Sequence, residues 1–115
     1  MTHWIVDWLR AFGWTLVTEL LVANALLRAV ETRGVRRSMA IVFANLATHP
    51  AVWFIFPGAT LGMNARIALS ELFAVVVEVL IYRVVWPELS WRRALLTSVC
   101  ANAASALSGP FVLRM

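Results

Sequence analysis

Four long apolar stretches, separated by short polar connections, divide this chain. They cover about residues 11–30, 38–56, 67–85 and 94–113. Because a helix rises about 1.5 Å per residue, roughly twenty apolar residues cross the ~30 Å hydrocarbon core of a bilayer. The pattern predicts an all-α protein, an integral membrane four-helix bundle, with residues 1–115 forming a single transmembrane domain.

Acidic residues occur inside two of these stretches. Glu19 lies in the middle of the first, and Glu71 and Glu78 lie in the third. Seven residues advance a helix by almost two turns, so Glu71 and Glu78 fall on nearly the same face. A carboxylate near the middle of a bilayer costs about 2.5 to 3.5 kcal/mol. We therefore expect all three side chains to face the inside of the bundle.

Amide and imidazole side chains occur in the other two stretches. Asn45 and His49 lie one turn apart in the second, and Asn102 lies near the middle of the fourth. Pro50 follows His49 and cannot donate to the helix ladder, which predicts a kink and an available backbone carbonyl beside these side chains. Together with the glutamates, they predict a polar group at mid-depth.

The fourth stretch also carries small residues at helical spacing. Ala101, Ser105 and Gly109 stand four residues apart and form one ladder. Small side chains allow a neighbouring helix to approach closely. The pattern predicts a helix-packing face.

The distribution of arginine predicts the orientation of the chain. Seven of the ten arginines lie in or beside the first and third connections, and three lie in the other segments. Since positive residues favour the cytoplasmic side, we expect both termini to lie outside the cytoplasm.

The two halves of the chain share a faint similarity. At an offset of 57 residues, Glu31 and Asn45 match Glu88 and Asn102. At an offset of 52, Glu19 matches Glu71. A tandem repeat of two helix pairs explains these matches, and so does chance similarity between apolar segments, so both interpretations stay open.

Composition narrows the classes of function. Hydrophobic residues make up 62% of the chain and charged residues 14%, which is typical of a membrane protein. The net charge of +4 comes from arginines between apolar runs, so we expect no nucleic acid partner. His49 with two or three of the glutamates could bind a transition metal, but no HExxH, ExxH or CxxC spacing supports such a site, so we expect no metal and no cofactor. Serine and threonine are scattered and only one histidine lies at mid-depth as a base, so we expect no enzymatic activity.

The run Asn45-Leu-Ala-Thr-His49-Pro50, the Glu71 and Glu78 pair and the run Ala101-Asn102-Ala-Ala-Ser105 resemble short multi-pass bacterial membrane proteins. The resemblance covers most of the chain and implies location in a bacterial inner (plasma) membrane, but it implies no particular activity. In length, and in having a glutamate in the first span, the chain is also similar to small multidrug resistance transporters, but by analogy only. Its last two spans lack their glycine-rich pattern.

Two functional hypotheses follow from the polar group. In the first, Glu19, Glu71 and Glu78 accept protons or cations, because desolvation raises the pKa of a carboxyl group towards neutrality. Asn45, His49 and Asn102 would orient a small solute, and an oligomer would complete the transport path. In the second hypothesis, these side chains only join helices, and the protein is an accessory or scaffold subunit of a larger membrane complex.

Overall fold

The computed structural model describes residues 2–54 and 62–113, which form four α-helices and no strand. They are α1 (Thr2–Leu26), α2 (Gly34–Phe54), α3 (Met63–Val85) and α4 (Trp91–Leu113). Each helix packs against the next, and α4 packs against α1. The four helices thus form a closed ring around a shared interior, which confirms the predicted all-α four-helix fold.

Each helix begins earlier than the apolar pattern indicates. Thr2–Trp8 continues α1 toward the chain start because its aromatic and aliphatic residues keep a helical spacing. At the start of α4, the Ser90 hydroxyl accepts a hydrogen bond from the Arg93 backbone N–H at 3.1 Å. This is an N-cap, which places the helix start before the first apolar run.

The helix ends follow local backbone chemistry. After Leu26 the chain tightens, and the Val30 N–H donates to the Leu27 carbonyl at 3.2 Å, so α1 stops short of residue 30. The Trp86 N–H makes the last helical hydrogen bond of α3, to the Tyr82 carbonyl. Pro87 follows, and a proline disfavours a helical conformation for the residue before it. Predicted span ends near residue 56 lie outside the described residues.

Both helices that contain proline continue past it. Helix α2 runs through Pro50 to Phe54, and α4 runs through Pro110 to Leu113. The helix therefore continues past Pro50, although this residue cannot donate a hydrogen bond to the Leu46 carbonyl. The kink at this position stays a prediction.

The bundle interior combines a hydrophobic core, which includes Leu27, Ile41, Tyr82 and Trp86, with buried polar side chains. Of the residues whose burial the structure describes, eleven polar or charged ones are buried, among them Glu19, Glu78, Asn45 and Asn102. Large aliphatic and aromatic side chains cover the exterior, with exposures of 71% at Leu21 and 73% at Leu107. Among the described residues, no helix combines the length and apolar content that crossing a membrane requires.

Candidate functional site

Two carboxylate–amide pairs lie at the centre of the bundle. The Asn45 amide of α2 donates to Glu19 Oε2 of α1 at 2.6 Å, and the Asn102 amide of α4 donates to Glu78 Oε1 of α3 at 2.8 Å. All four side chains are buried, and Glu19 is fully inaccessible to solvent. Each pair therefore joins two adjacent helices through a buried hydrogen bond.

Both asparagines are fixed in the same way by their own helix. Asn45 Nδ2 also donates to the Ile41 carbonyl at 2.8 Å, and Asn102 Nδ2 donates to the Ser98 carbonyl at the same distance. Each amide is thus oriented by the carbonyl four residues earlier before it meets its glutamate. The amide positions are set by the helices rather than by the glutamates alone.

Glu78 has more hydrogen-bond donors than Glu19. The Ser98 hydroxyl donates to its Oε1 at 3.1 Å, and the Thr48 hydroxyl of α2 lies 3.5 Å from its Oε2. Glu78 is therefore bound by α2 and α4 at once. In the described part of the chain, Glu19 Oε1 is buried and has no hydrogen-bond partner.

The hydrogen bonds indicate which residues of the two halves of the chain occupy equivalent positions. Asn45 and Asn102 take equivalent places at the predicted offset of 57 residues. On α1 and α3, however, the equivalent of Glu19 is Glu78 rather than Glu71. The buried rows Glu19-Ala23-Leu27 and Glu78-Tyr82-Trp86 support this register, because both have a spacing of four and an offset of 59.

A cavity of about 380 Å³ opens beside the Glu78 pair and is lined by residues of all four helices. Glu78, Asn45 and Asn102 line it together with Glu71 and His49. Glu19 does not line the cavity, but it accepts a hydrogen bond from Asn45, which does. The structure thus places five of the six predicted proton-accepting or ligand-orienting residues around one space.

His49 lies against aromatic side chains of α1. Its ring centroid is 5.1 Å from that of Phe12, edge to face, and 6.3 Å from that of Trp8. Glu71 is only partly buried, whereas Glu78 is almost fully buried. The cavity therefore combines a deep carboxylate with a more accessible one, which lies about two helical turns away along α3.

The predicted small-residue ladder of α4 faces the bundle interior. Ala101 is fully buried in the core, and Ser105 and Gly109 line the cavity. A Cβ atom added at Gly109 would lie 3.7 Å from Trp14 of α1, an ordinary contact distance. Room for a methyl group therefore remains at Gly109, and α4 contacts α1 beside it through a hydrogen bond from Trp14 Nε1 to Ser108 Oγ at 3.0 Å.

The lining of the cavity is suited to a small cation. Among the described residues, it contains two carboxyl groups, the His49 imidazole and the indole of Trp14, and no arginine. Carboxylates and amide oxygens coordinate cations, and an indole ring attracts organic cations. Among the described residues, no three carboxylate, imidazole or thiol groups are grouped so that they could hold a metal ion.

Several residues of the site were not identified from the sequence. Ser98 and Thr48 donate to Glu78, and Trp14 forms one wall of the cavity. The sequence contained a usable signal for Thr48. At the repeat offset of 57 residues it matches Ser105, and each of these hydroxyl residues lies three positions after an asparagine. Ser98 gave no comparable signal, because its repeat equivalent is the apolar Ile41.

Comparison of the chain with protein-family models, with curated proteins and with solved structures gave no match.

Proposed function

We propose that this protein is a small integral membrane protein that moves a small cation in exchange for a proton through the site around Glu78. The observation that carries the proposal is the cavity of about 380 Å³, which all four helices line, in the part of the chain that the structure describes, with two carboxyl groups and no arginine. A buried carboxylate that is not neutralised by a basic side chain favours binding of a cation from outside the protein.

The distribution of polarity supports placement in a bilayer. In water, the exposed aliphatic residues would cost free energy, and the buried glutamates and asparagines would add to that cost. In hydrocarbon, the same outward residues meet lipid, and the two central glutamates each accept a hydrogen bond from an asparagine of a neighbouring helix. The apolar content of a whole helix averages over its inward face and its outward face. Only the outward face would contact lipid, so polar inward residues lower the average without reaching lipid.

Competition at one carboxyl group would provide the coupling. Glu78 binds either a proton or a cation at the same oxygen atoms, so binding of one releases the other. Asn102, Ser98 and Thr48 hold these oxygen atoms in place. Glu71, less deeply buried in the same cavity, would pass ions between Glu78 and the outer opening. Four helices enclose little volume, so we propose that the transporting form is an oligomer.

A flux measurement with matched variants tests this proposal. Purified protein is reconstituted in liposomes that contain a pH-sensitive dye and have an acidic interior, and tetramethylammonium or Na⁺ is added outside. We expect the wild-type protein to release protons on addition of one of these cations. Glu78→Gln should reduce that rate by about tenfold or more, since the amide still accepts hydrogen bonds but cannot exchange a proton.

Glu88→Gln is the matched control, because Glu88 is exposed in the connection between α3 and α4. It should retain wild-type flux, and circular dichroism should show that both variants remain helical. Equal flux for the wild type and Glu78→Gln would contradict the proposal. If the wild type has no flux and purifies only with a larger membrane complex, the accessory-subunit hypothesis replaces it.

A further inference from the structure

An open apolar groove runs along the outward face of α2, away from the Glu78 cavity. It has a volume of about 880 Å³, and its apolar lining comprises Val35, Met39, Val42, Phe43 and Leu46. Val35, Met39 and Phe43 are each more than 60% exposed. These residues recur every three or four positions, so they form one continuous row along the helix.

The length of the row corresponds to one lipid leaflet. From residue 35 to residue 46, a helix rises about 16 Å, which is about half of a ~30 Å hydrocarbon core. A single acyl chain that follows this row would reach from the interface to the middle of the bilayer. The groove therefore has the length that a lipid tail requires.

Polar residues are found only at one end of the groove, where Arg37, Asn24 and Ser38 line it. Arg37 Nε donates to Asn24 Oδ1 at 3.1 Å, and its Nη1 donates to the Glu31 carbonyl at 2.6 Å. Asn24 Nδ2 in turn donates to Ser38 Oγ at 3.2 Å. These bonds hold the guanidinium in place and use two of its five N–H donors, so others remain for a phosphate.

The charge around this end favours an anion. The connection between α1 and α2 and the first turn of α2 contain Arg28, Arg33, Arg36 and Arg37 against the single acidic residue Glu31. Glu31 is already paired with Arg33 and Arg36, each at 3.1 Å. No acidic side chain lines the groove within residues 2–54 and 62–113. An anionic headgroup would thus meet positive potential, while its tail would meet only apolar side chains.

We propose that this groove binds one anionic phospholipid, with the headgroup phosphate on Arg37 and one acyl chain along α2. The inference rests on the bilayer placement in the proposed function, but not on cation transport. Lipid bound here would contact both α1 and α2 at the arginine-rich end, because Asn24 belongs to α1. It would therefore tie the first helix pair together at the membrane interface.

Thermal unfolding of the detergent-purified protein tests the site, with phosphatidylglycerol and phosphatidylcholine as probes. We expect phosphatidylglycerol to raise the Tm more than phosphatidylcholine, because ligands that bind only the folded state stabilise it. For Arg37→Gln, about ten times more phosphatidylglycerol should be needed to raise the Tm by the same amount. Arg92→Gln, an exposed arginine of the other basic connection, is the matched control and should respond as the wild type does.

Val42→Phe keeps the Arg37 contacts and fills the groove, so it should also lose the preference for phosphatidylglycerol. Inorganic phosphate alone should leave the Tm unchanged, since it provides no acyl chain. Equal stabilisation by both lipids, equal responses of Arg37→Gln and Arg92→Gln, or a full effect of inorganic phosphate would each overturn the proposal. Glu78→Gln should retain lipid binding, which separates failure of this inference from failure of the transport proposal.

Discussion

Each central glutamate depends on one asparagine that its own helix does not provide. Asn102 reaches Glu78 from α4, and Asn45 reaches Glu19 from α2, both within 2.8 Å. Leaving a buried carboxyl oxygen without its donor costs more than the net value of the hydrogen bond. These amides therefore contribute to stability as well as to the shape of the cation site.

Asn102→Ala should lower the free energy of unfolding by about 1 to 3 kcal/mol, because Glu78 loses its shortest hydrogen bond and the Ser98 carbonyl loses a donor. Chemical denaturation in detergent, followed by circular dichroism, measures the change. Thr32→Ala removes a polar group from an exposed position of the first connection and serves as the control. If both substitutions have the same small effect, the buried amide does not hold Glu78 in place.

Asparagine and glutamate were predicted at mid-depth from their positions alone, and the pairing between them was not. A helical wheel gives the face on which Glu78 lies, but not the rotation of α4 relative to α3. Which amide meets which carboxylate depends on that rotation. For the same reason the repeat was matched through Glu71, whereas the hydrogen bonds relate Glu19 to Glu78.

At the scale of elements, the connection between α1 and α2 is tied to the end of α3. Glu31 Oε1 accepts a hydrogen bond from Trp86 Nε1 at 3.2 Å, and Trp86 is almost fully buried. The hydrogen bond from Arg33 lowers the pKa of the Glu31 carboxyl, and the bond from Trp86 lowers it further. This side chain therefore links one connection to another helix while it neutralises nearby arginines.

Glu31→Gln should lower the Tm at neutral pH and make the Tm depend less on pH in acidic solution. A carboxyl whose pKa is lowered by folding stabilises the protein above its unfolded pKa of about 4.3, and this contribution is lost as pH falls through the folded value. Tm measured between pH 7 and pH 3 should thus fall less steeply for the variant. Glu88→Gln should keep the wild-type slope, and an unchanged slope in Glu31→Gln would contradict this role.

The sequence located the helices well and their ends less well. Apolar runs identified all four helices, because each run is long enough to exclude most alternatives. The ends depend on single contacts, such as the Ser90 cap of α4 and the tight turn after Leu26. The Ser90 cap was available in the sequence, since serine before a helical run is a start signal.

At the scale of the whole molecule, the ring of four helices encloses polar groups within a hydrophobic core and carries many aliphatic side chains on its exterior. Leu21 and Val84 illustrate the exterior, with exposures of 71% and 80%. Leu21 lies near the level of the Glu19 pair, whereas Val84 lies at the end of α3, beside the arginine-rich connection. In the proposed bilayer, Leu21 therefore lies deeper than Val84, although both side chains are highly exposed.

Leu21→Arg should destabilise the protein in bilayers by about 2.5 to 3.5 kcal/mol, and Val84→Arg should have much less effect, because an arginine near the interface reaches the headgroups. Resistance to unfolding in lipid nanodiscs and the yield of protein in the membrane fraction measure the difference. If both variants behave as the wild type in these assays, the exterior does not face lipid.

By itself, the sequence determined the number of helices and the presence of costly polar residues among apolar ones. Both follow from local periodicity, which neighbouring residues fix. Only the tertiary structure decided that Glu78, Glu71, His49, Asn45 and Asn102 share one cavity, and that Glu19 lies behind its wall. That outcome depends on how four helices rotate and pack, and the packing is set by contacts between residues far apart in the chain.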